Sequence, residues 1–496
     1  MKHIVTIAFA LLLFASAQSQ SYSFTFRLEG VEDSVLYIGR HYRDQLQLVD
    51  SAQHTGKGEY RFKGRRSWDR GLYALVNQNK KGKIGDFAID DSRTFTLTAD
   101  AKMTPASVKV KGSKVNSQMF TYMSILQAAQ KEQRALQERK KDPIQKAAAE
   151  AEEKALNERM VAFQQEAMHP QNPNVFFEWV ELCDNPDVPD SVKDKPRYFR
   201  THYWDMLFDV DKLNVDKLTS SNNNASGVPS ARPATYQPIN LSTLLYSPQL
   251  FNKMNYFFFG LLYHADADTI ILELDRLMDR IGDDTAMQRY VIQFIEPRYF
   301  RSTKNIGWDA VWCHIASEYI LKGRCPWMRE SEIYLARQNY SRISQSIIGA
   351  HGQELWMADT NQSPDPDDWV SSHRFPTRYV ILWFWDPDCH HCQEQSEELK
   401  ELYDSLQTAP DRRFEVYAVG YESDVAKWKR YVREHDFRWV NVGGTNVNLD
   451  YQEAYNVHGA PTMIILNERR DIIMNKVLPA KSILPFLDSY ESRNKK

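Results

Sequence analysis

Seven consecutive apolar residues, Tyr379–Trp385, run into Asp386-Pro387-Asp388 and then into Cys389-His390-His391-Cys392. An unbroken apolar run of that length, bounded by turn residues, reads as a strand buried on both faces. The pattern after it is helical as far as Leu406. A strand that delivers a Cys-x-x-Cys pair to the first turn of a helix carries redox chemistry more readily than structure. Unpaired backbone N–H groups and the helix dipole at that end stabilise a thiolate, so Cys389 is the expected nucleophile. Cys392, one turn further in, is shielded and would resolve the mixed disulfide. His390 and His391, in protonated form, add positive charge, tune the thiolate and favour an easily reduced, oxidising disulfide. A metal site built from the same four residues is the alternative. It is disfavoured because structural zinc needs a second ligand pair elsewhere in the chain, and the sequence offers none.

The compartment decides what such a pair can do. Lys2 and His3 precede the apolar run Ile4–Phe14, and Ala15-Ser16-Ala17 offers an A-x-A cleavage site, so residues 1–17 are expected to be a signal peptide. The run is shorter than the roughly 20 residues a membrane span needs. No later segment is long and apolar enough to span a bilayer, and no cysteine follows the cleavage site to carry a lipid. The expected location is a bacterial periplasm. The other cysteines, Cys183, Cys313 and Cys325, lack motif spacing and are too few for a disulfide scaffold. A formal net charge of −3 gives no electrostatic reason to expect nucleic acid.

Four segments are expected. After the signal peptide, residues 18–112 carry short alternating runs separated by Gly, Asp and Lys turns, which indicates a small antiparallel β-sandwich or barrel. Asp50, Ser51 and His54 lie close together there but read as solvated turn residues. Residues 113–348 are helical, with a break at Asp142-Pro143 because a helix-interior proline costs about 3 kcal/mol. Asn174–Cys183 is another helical stretch, and Ser220–Pro238 reads as a flexible loop. His202, His264 and His314 lie on helix faces without a second ligand at helical spacing. Cys313 reads as a buried small hydrophobe on a helix, and Cys325 lies just past Gly323, where that helix should end, too far along a continuous helix to bridge Cys313. Residues 349–496 alternate as α/β in a β-α-β-α, then β-β-α order, with helices expected on both faces of the sheet. Within them Val457-His458-Gly459-Ala460-Pro461-Thr462 precedes the strand at Met463, and a cis Ala460–Pro461 bond is expected there.

The cysteine pair, the helices after it and the Pro-Thr strand start resemble the thioredoxin superfamily over about residues 355–496. The nearer likeness, with Phe384-Trp385 before the cysteines, is to its exported TlpA-like branch. The resemblance implies that Cys389 attacks, Cys392 resolves and Pro461 is the cis-proline, with Trp385, Ala460 and Pro461 shaping a substrate groove. It also implies protein thiol or disulfide substrates, a membrane or periplasmic redox partner, and no cofactor beyond the Cys389–Cys392 disulfide. Secreted Bacteroidetes-type proteins of this kind join a β-rich, a helical and a thioredoxin-like domain. The matching stretches are Gly112-Ser113 with Asn116, His202-Tyr203-Trp204-Asp205, and Gly307-Trp308-Asp309-Ala310-Val311. Three positions depart from the pattern. Trp383 stands where thioredoxins bury an Asp, Gln395 where many TlpA-like reductases carry Glu, and Ser396 and Glu397 where a helix-kinking proline is common. Glu394 is expected to face away from Cys392. Electron flow is therefore open in direction. A cell-envelope binding protein with the thioredoxin-like domain as scaffold is the second reading.

Overall fold

The computed structural model describes residues 20–494 apart from 57, 80–81, 91, 168–175, 177–182, 184, 187, 209–240, 302–304, 407–411 and 422–423. The expected signal peptide, the Ser220–Pro238 loop and nearly all of the 174–183 stretch lie outside the described residues. The protein is multidomain: N-terminal β-sheets, a helical middle region and a C-terminal domain on a seven-stranded sheet. Its backbone divides into two compact units, Met1–His264 with Arg276–Tyr290, and Ala265–Asp275 with Val291–Lys496.

In the first unit, eight strands form a sandwich of two four-stranded sheets. They are β1 (Gln20–Glu29), β2 (Val35–Tyr42), β3 (Gln45–Gln53), β4 (Glu59–Arg66), β5 (Gly71–Val76), β6 (Lys83–Ile89), β7 (Thr94–Asp100) and β8 (Lys109–Lys111). The sheet orders are β4-β1-β7-β8 and β3-β2-β5-β6. Alternation supplies the shared core: Phe24, Phe26 and Leu28 of β1 are buried, and the Phe26 ring meets Phe87 of the other sheet edge-on at 5.0 Å. The sandwich is not wholly antiparallel as expected, because β1 and β7 pair in parallel. A period of two is the same for either direction, so alternation could not reveal this.

The Gly112-Ser113…Asn116 stretch has a structural job. Gly112 takes φ +86, and Ser113 Oγ accepts the Asn116 N–H at the start of α1 (Lys114–Arg139). The fully buried Asn116 amide then bonds both the N–H and the C=O of Ala88 in β6, each at 2.7 Å. The next helix, α2 (Lys146–Ala167), follows the expected proline break and packs on α1 through Leu136, Ala149 and Leu156. Further on come α3 (Lys195–Thr201), α4 (Asp205–Phe208), α5 (Pro248–Tyr256), α6 (Ala267–Ile281), α7 (Thr285–Arg301), α8 (Trp308–His314) and α9 (Glu330–Ile343). Asp205 receives Arg280 Nη2 at 2.6 Å, and Tyr203 donates to the Lys253 carbonyl, so the His202–Asp205 stretch also serves packing. Burial pushes the Cys313 and Cys325 thiols up to about 12, which suits structural groups.

The second unit's sheet has the order β10-β9-β13-β12-β11-β14-β15. These strands are β9 (Trp356–Asp359), β10 (Val370–Ser371), β11 (Tyr379–Trp385), β12 (Phe414–Gly420), β13 (Val440–Val447), β14 (Thr462–Leu466) and β15 (Ile472–Met474). Its helices are α10 (His390–Leu406), α11 (Val425–Glu434), α12 (Tyr451–Ala454) and α13 (Ala480–Asn494). All seven side chains of β11 are buried, as its apolar run requires. Tyr379, Ile381, Trp383 and Trp385 face a core shared with α10, α11 and α13, while Val380, Leu382 and Phe384 face α12. With β12 parallel on one side and β14 antiparallel on the other, β11 has no free edge.

Candidate active site

At the end of β11, the Cys389 N–H donates to the Asp386 carbonyl at 3.1 Å, and the Asp388 N–H to Asp386 Oδ1 at 2.7 Å. This tight turn is pinned further by Gln393 Nε2, which donates to the Pro387 carbonyl at 2.8 Å. The helix proper begins at His390, and the Cys389 carbonyl accepts its first bond, from the Gln393 N–H at 3.0 Å. Cys389 is thus the N-cap residue. Its Sγ takes the part a cap oxygen usually plays, accepting the Cys392 N–H at 3.3 Å. Cys389 is half-buried and reachable from solvent; Cys392 is fully buried.

Cys392 behaves differently. Burial first, then its hydrogen bond with Cys389, pushes its thiol up to about 12. The position at which the resemblance implies a buried carboxylate is Trp383. Its Nε1–H donates to Ser396 Oγ at 2.9 Å, with both side chains fully buried.

The two histidines sit outside. His390 and His391 are largely exposed, and Glu394 lies between them, 3.2 Å from His390 Nε2 and 3.5 Å from His391 Nδ1. Glu394 therefore faces the imidazoles. Lys427 pairs with Asp388 beside the turn. Among the described residues, no group of three or more His, Cys, Asp or Glu side chains could hold a metal ion.

The second half of the site comes from the far end of the chain. Antiparallel pairing sets Thr462 opposite Phe384, which brings the loop before β14 level with the cysteine turn. The Ala460–Pro461 bond is cis. The Ala460 carbonyl lies 3.7 Å from Cys389 Sγ, within reach of its S–H. Thr462 Oγ1 donates back to the Gly459 carbonyl at 2.8 Å and braces the loop. Cys389, Cys392, Ala460 and Pro461 thus converge. Trp385 does not join them as a groove wall: it is fully buried against Tyr431 and Phe437, because it lies on the core face of β11 with Trp383. Beside Pro461 opens a cavity of about 470 Å³ whose lining includes Asp309 and Ser346 from the helical stretch. Sequence reasoning missed these two residues; only the Gly307–Val311 likeness hinted at the first.

A family model described as thioredoxin-like matches residues 377–472. That span is a thioredoxin-like domain. No curated protein matches the chain. Among solved structures, a domain of a possible thiol-disulfide isomerase from Cytophaga hutchinsonii is 25% identical, covering 30% of this chain and 96% of its own, with a TM-score of 0.26. A thioredoxin-like protein from Bacteroides caccae is 14% identical, covering 61% of this chain and 97% of its own, with a TM-score of 0.43. The thioredoxin domain of a thiol-disulfide oxidoreductase from Bacteroides vulgatus is 20% identical, covering 28% of this chain and 96% of its own, with a TM-score of 0.24. In the thioredoxin-like domain both cysteines and the cis-proline fall inside the matched residues. No helix among the described residues is long and apolar enough to cross a membrane.

Proposed function

We propose that the chain is an exported thiol–disulfide oxidoreductase of the TlpA-like Bacteroidetes type, exchanging electrons with protein disulfides in the periplasm. In this reading residues 1–17 are removed on export, and domains at 18–112 and 113–348 precede the redox domain at 349–496. One observation carries the chemistry: a capped, half-exposed Cys389 sulfur lies within contact of the carbonyl before a cis-proline, with a buried partner thiol one turn away.

The exchange balances as follows. The Cys389 thiolate attacks one sulfur of a substrate disulfide, forming a mixed disulfide and releasing the other substrate sulfur as a thiolate, which takes a proton. Cys392 loses its proton and attacks Cys389 Sγ, which forms the Cys389–Cys392 disulfide and frees the second substrate thiol. The substrate has gained two electrons and two protons, and a dithiol partner restores the enzyme. Run backwards, the same steps oxidise a dithiol substrate, so direction follows from the potential of the pair. A value near −270 mV would make it a reductant and one near −120 mV an oxidant. His390 and His391 are assigned the tuning of that potential.

Cys392→Ser should accumulate mixed disulfides in the envelope, and Cys389→Ser should accumulate none. A purified mature chain with no dithiol redox couple would sink the proposal. The sealed Trp383–Ser396 contact in place of a carboxylate favours a second reading, a cell-envelope binding protein on a thioredoxin-like scaffold. That reading predicts a phenotype on deletion of the domain but none on double substitution of Cys389 and Cys392.

A further inference from the structure

The cavity beside Pro461 is built from distant parts of one compact unit. One wall is the cis-proline loop and the start of β14; another is Asn475 and Lys476, just after β15; the third is Asp309 of α8 with Ser346. Asn475 joins the walls, its Nδ2 donating to Asp309 Oδ2 at 2.5 Å and to the Ser346 carbonyl at 3.0 Å. The Asp309 carboxylate is thus already satisfied: Oδ1 takes the Ala310 N–H at 3.0 Å, and Oδ2 takes Asn475. Lys476 Nζ forms a loose ion pair with Asp309 Oδ2 at 3.8 Å, beyond hydrogen-bond distance, and no described residue accepts a hydrogen bond from it. A half-buried ammonium with unspent donors on a cavity wall attracts an anionic or strongly accepting group. Of the other titratable groups of the lining, His458 has its Nε2 held by Asn456 Oδ1 at 2.7 Å, and the Tyr455 hydroxyl donates to the Gln353 carbonyl at 2.5 Å.

Position connects this cavity to the chemistry. One peptide bond separates the Ala460 carbonyl, which touches Cys389 Sγ, from the Pro461 ring that lines the cavity. A polypeptide joined to Cys389 through its own cysteine advances roughly 3.3–3.6 Å per extended residue, so its next residues pass this opening. We propose that the cavity is a specificity subsite that takes an acidic side chain flanking the reacting cysteine of a protein substrate, with Lys476 selecting it and Asp309 moderating the charge. The proposal rests on the redox reading above.

The test uses the full mature chain and disulfide-linked peptides that differ only in a Glu, Gln or Lys beside the cysteine, with a small uncharged disulfide as reference in every variant. The readout is kcat/KM for each peptide divided by that for the reference. The expected preference of Glu over Lys is on the order of tenfold, the scale of exchanging one partly screened attraction for a repulsion of like size. Lys476→Met should abolish the preference, Lys476→Glu should invert it, and Asp309→Asn should enlarge it. Rates independent of flanking charge, or a preference that survives Lys476→Met, would overturn the subsite while leaving the redox function standing. No turnover of even the small disulfide would overturn the redox reading, and the subsite with it.

Discussion

Trp383 Nε1–H and Ser396 Oγ, 2.9 Å apart and both fully buried, tie the strand that carries the cysteines to the helix that starts at them. Ser396→Ala would leave the indole N–H buried and unpartnered, at a loss of about 1–3 kcal/mol. In a double-mutant cycle with Trp383→Phe, the two changes should couple by about 0.5–3 kcal/mol, read from urea unfolding. Strict additivity would show that the contact holds nothing.

The Cys392 thiol is pushed up to about 12 by burial and by Cys389, so at neutral pH it stays protonated. A raised thiol pKa means less thiolate, and the thiolate is the attacking species. Resolution of a preformed mixed disulfide on Cys389 should therefore accelerate as pH rises, approaching tenfold per unit, with no plateau between about pH 6 and about pH 9. Stopped-flow release of a chromophoric thiol follows the step directly. Levelling off near neutrality would point to a buried base that relieves Cys392 of its proton.

Glu394 lies between His390 and His391, so the imidazoles act on the thiolate against a compensating charge. His390→Ala/His391→Ala should make the pair less oxidising, by on the order of 30 mV, equivalent to about 1.4 kcal/mol. Glu394→Gln should shift the potential the opposite way. Equilibration with glutathione buffers measures both.

Arg470 guards the approach to β11. Its buried guanidinium donates to the carbonyls of His373 at 3.2 Å, Phe375 at 2.8 Å and Asn467 at 3.1 Å. Arg470→Ala should cost about 2–3 kcal/mol, since buried carbonyls lose a charged donor. Arg470→Lys should recover less than half, because one ammonium cannot span a fork. Denaturant midpoints of the two variants decide it.

The parts legible in the sequence are those fixed by short-range pattern. Alternation located seven of the eight sandwich strands; the three-residue Lys109–Lys111 and the two-residue Val370–Ser371 are too short to show a period. The cysteine turn and the cis-proline declared themselves by residue type. The expected helix start at Cys389 was one residue early, because a sulfur in the cap position is not a recognised cap signal. Trp385 misled because an all-apolar strand does not say which face each side chain takes. The Asp309–Asn475 bond spans 166 positions, and no local pattern encodes such a pairing.

The match to the family begins at residue 377, yet one wall of the cavity beside Pro461 lies at residues 309 and 346. On the proposed subsite, the attraction comes from Lys476, inside residues 349–496, and the restraint on it from Asp309, outside them. A chain reduced to residues 349–496 would keep its thiols, its proline and Lys476 but lose that restraint, and would become more partial to acidic clients.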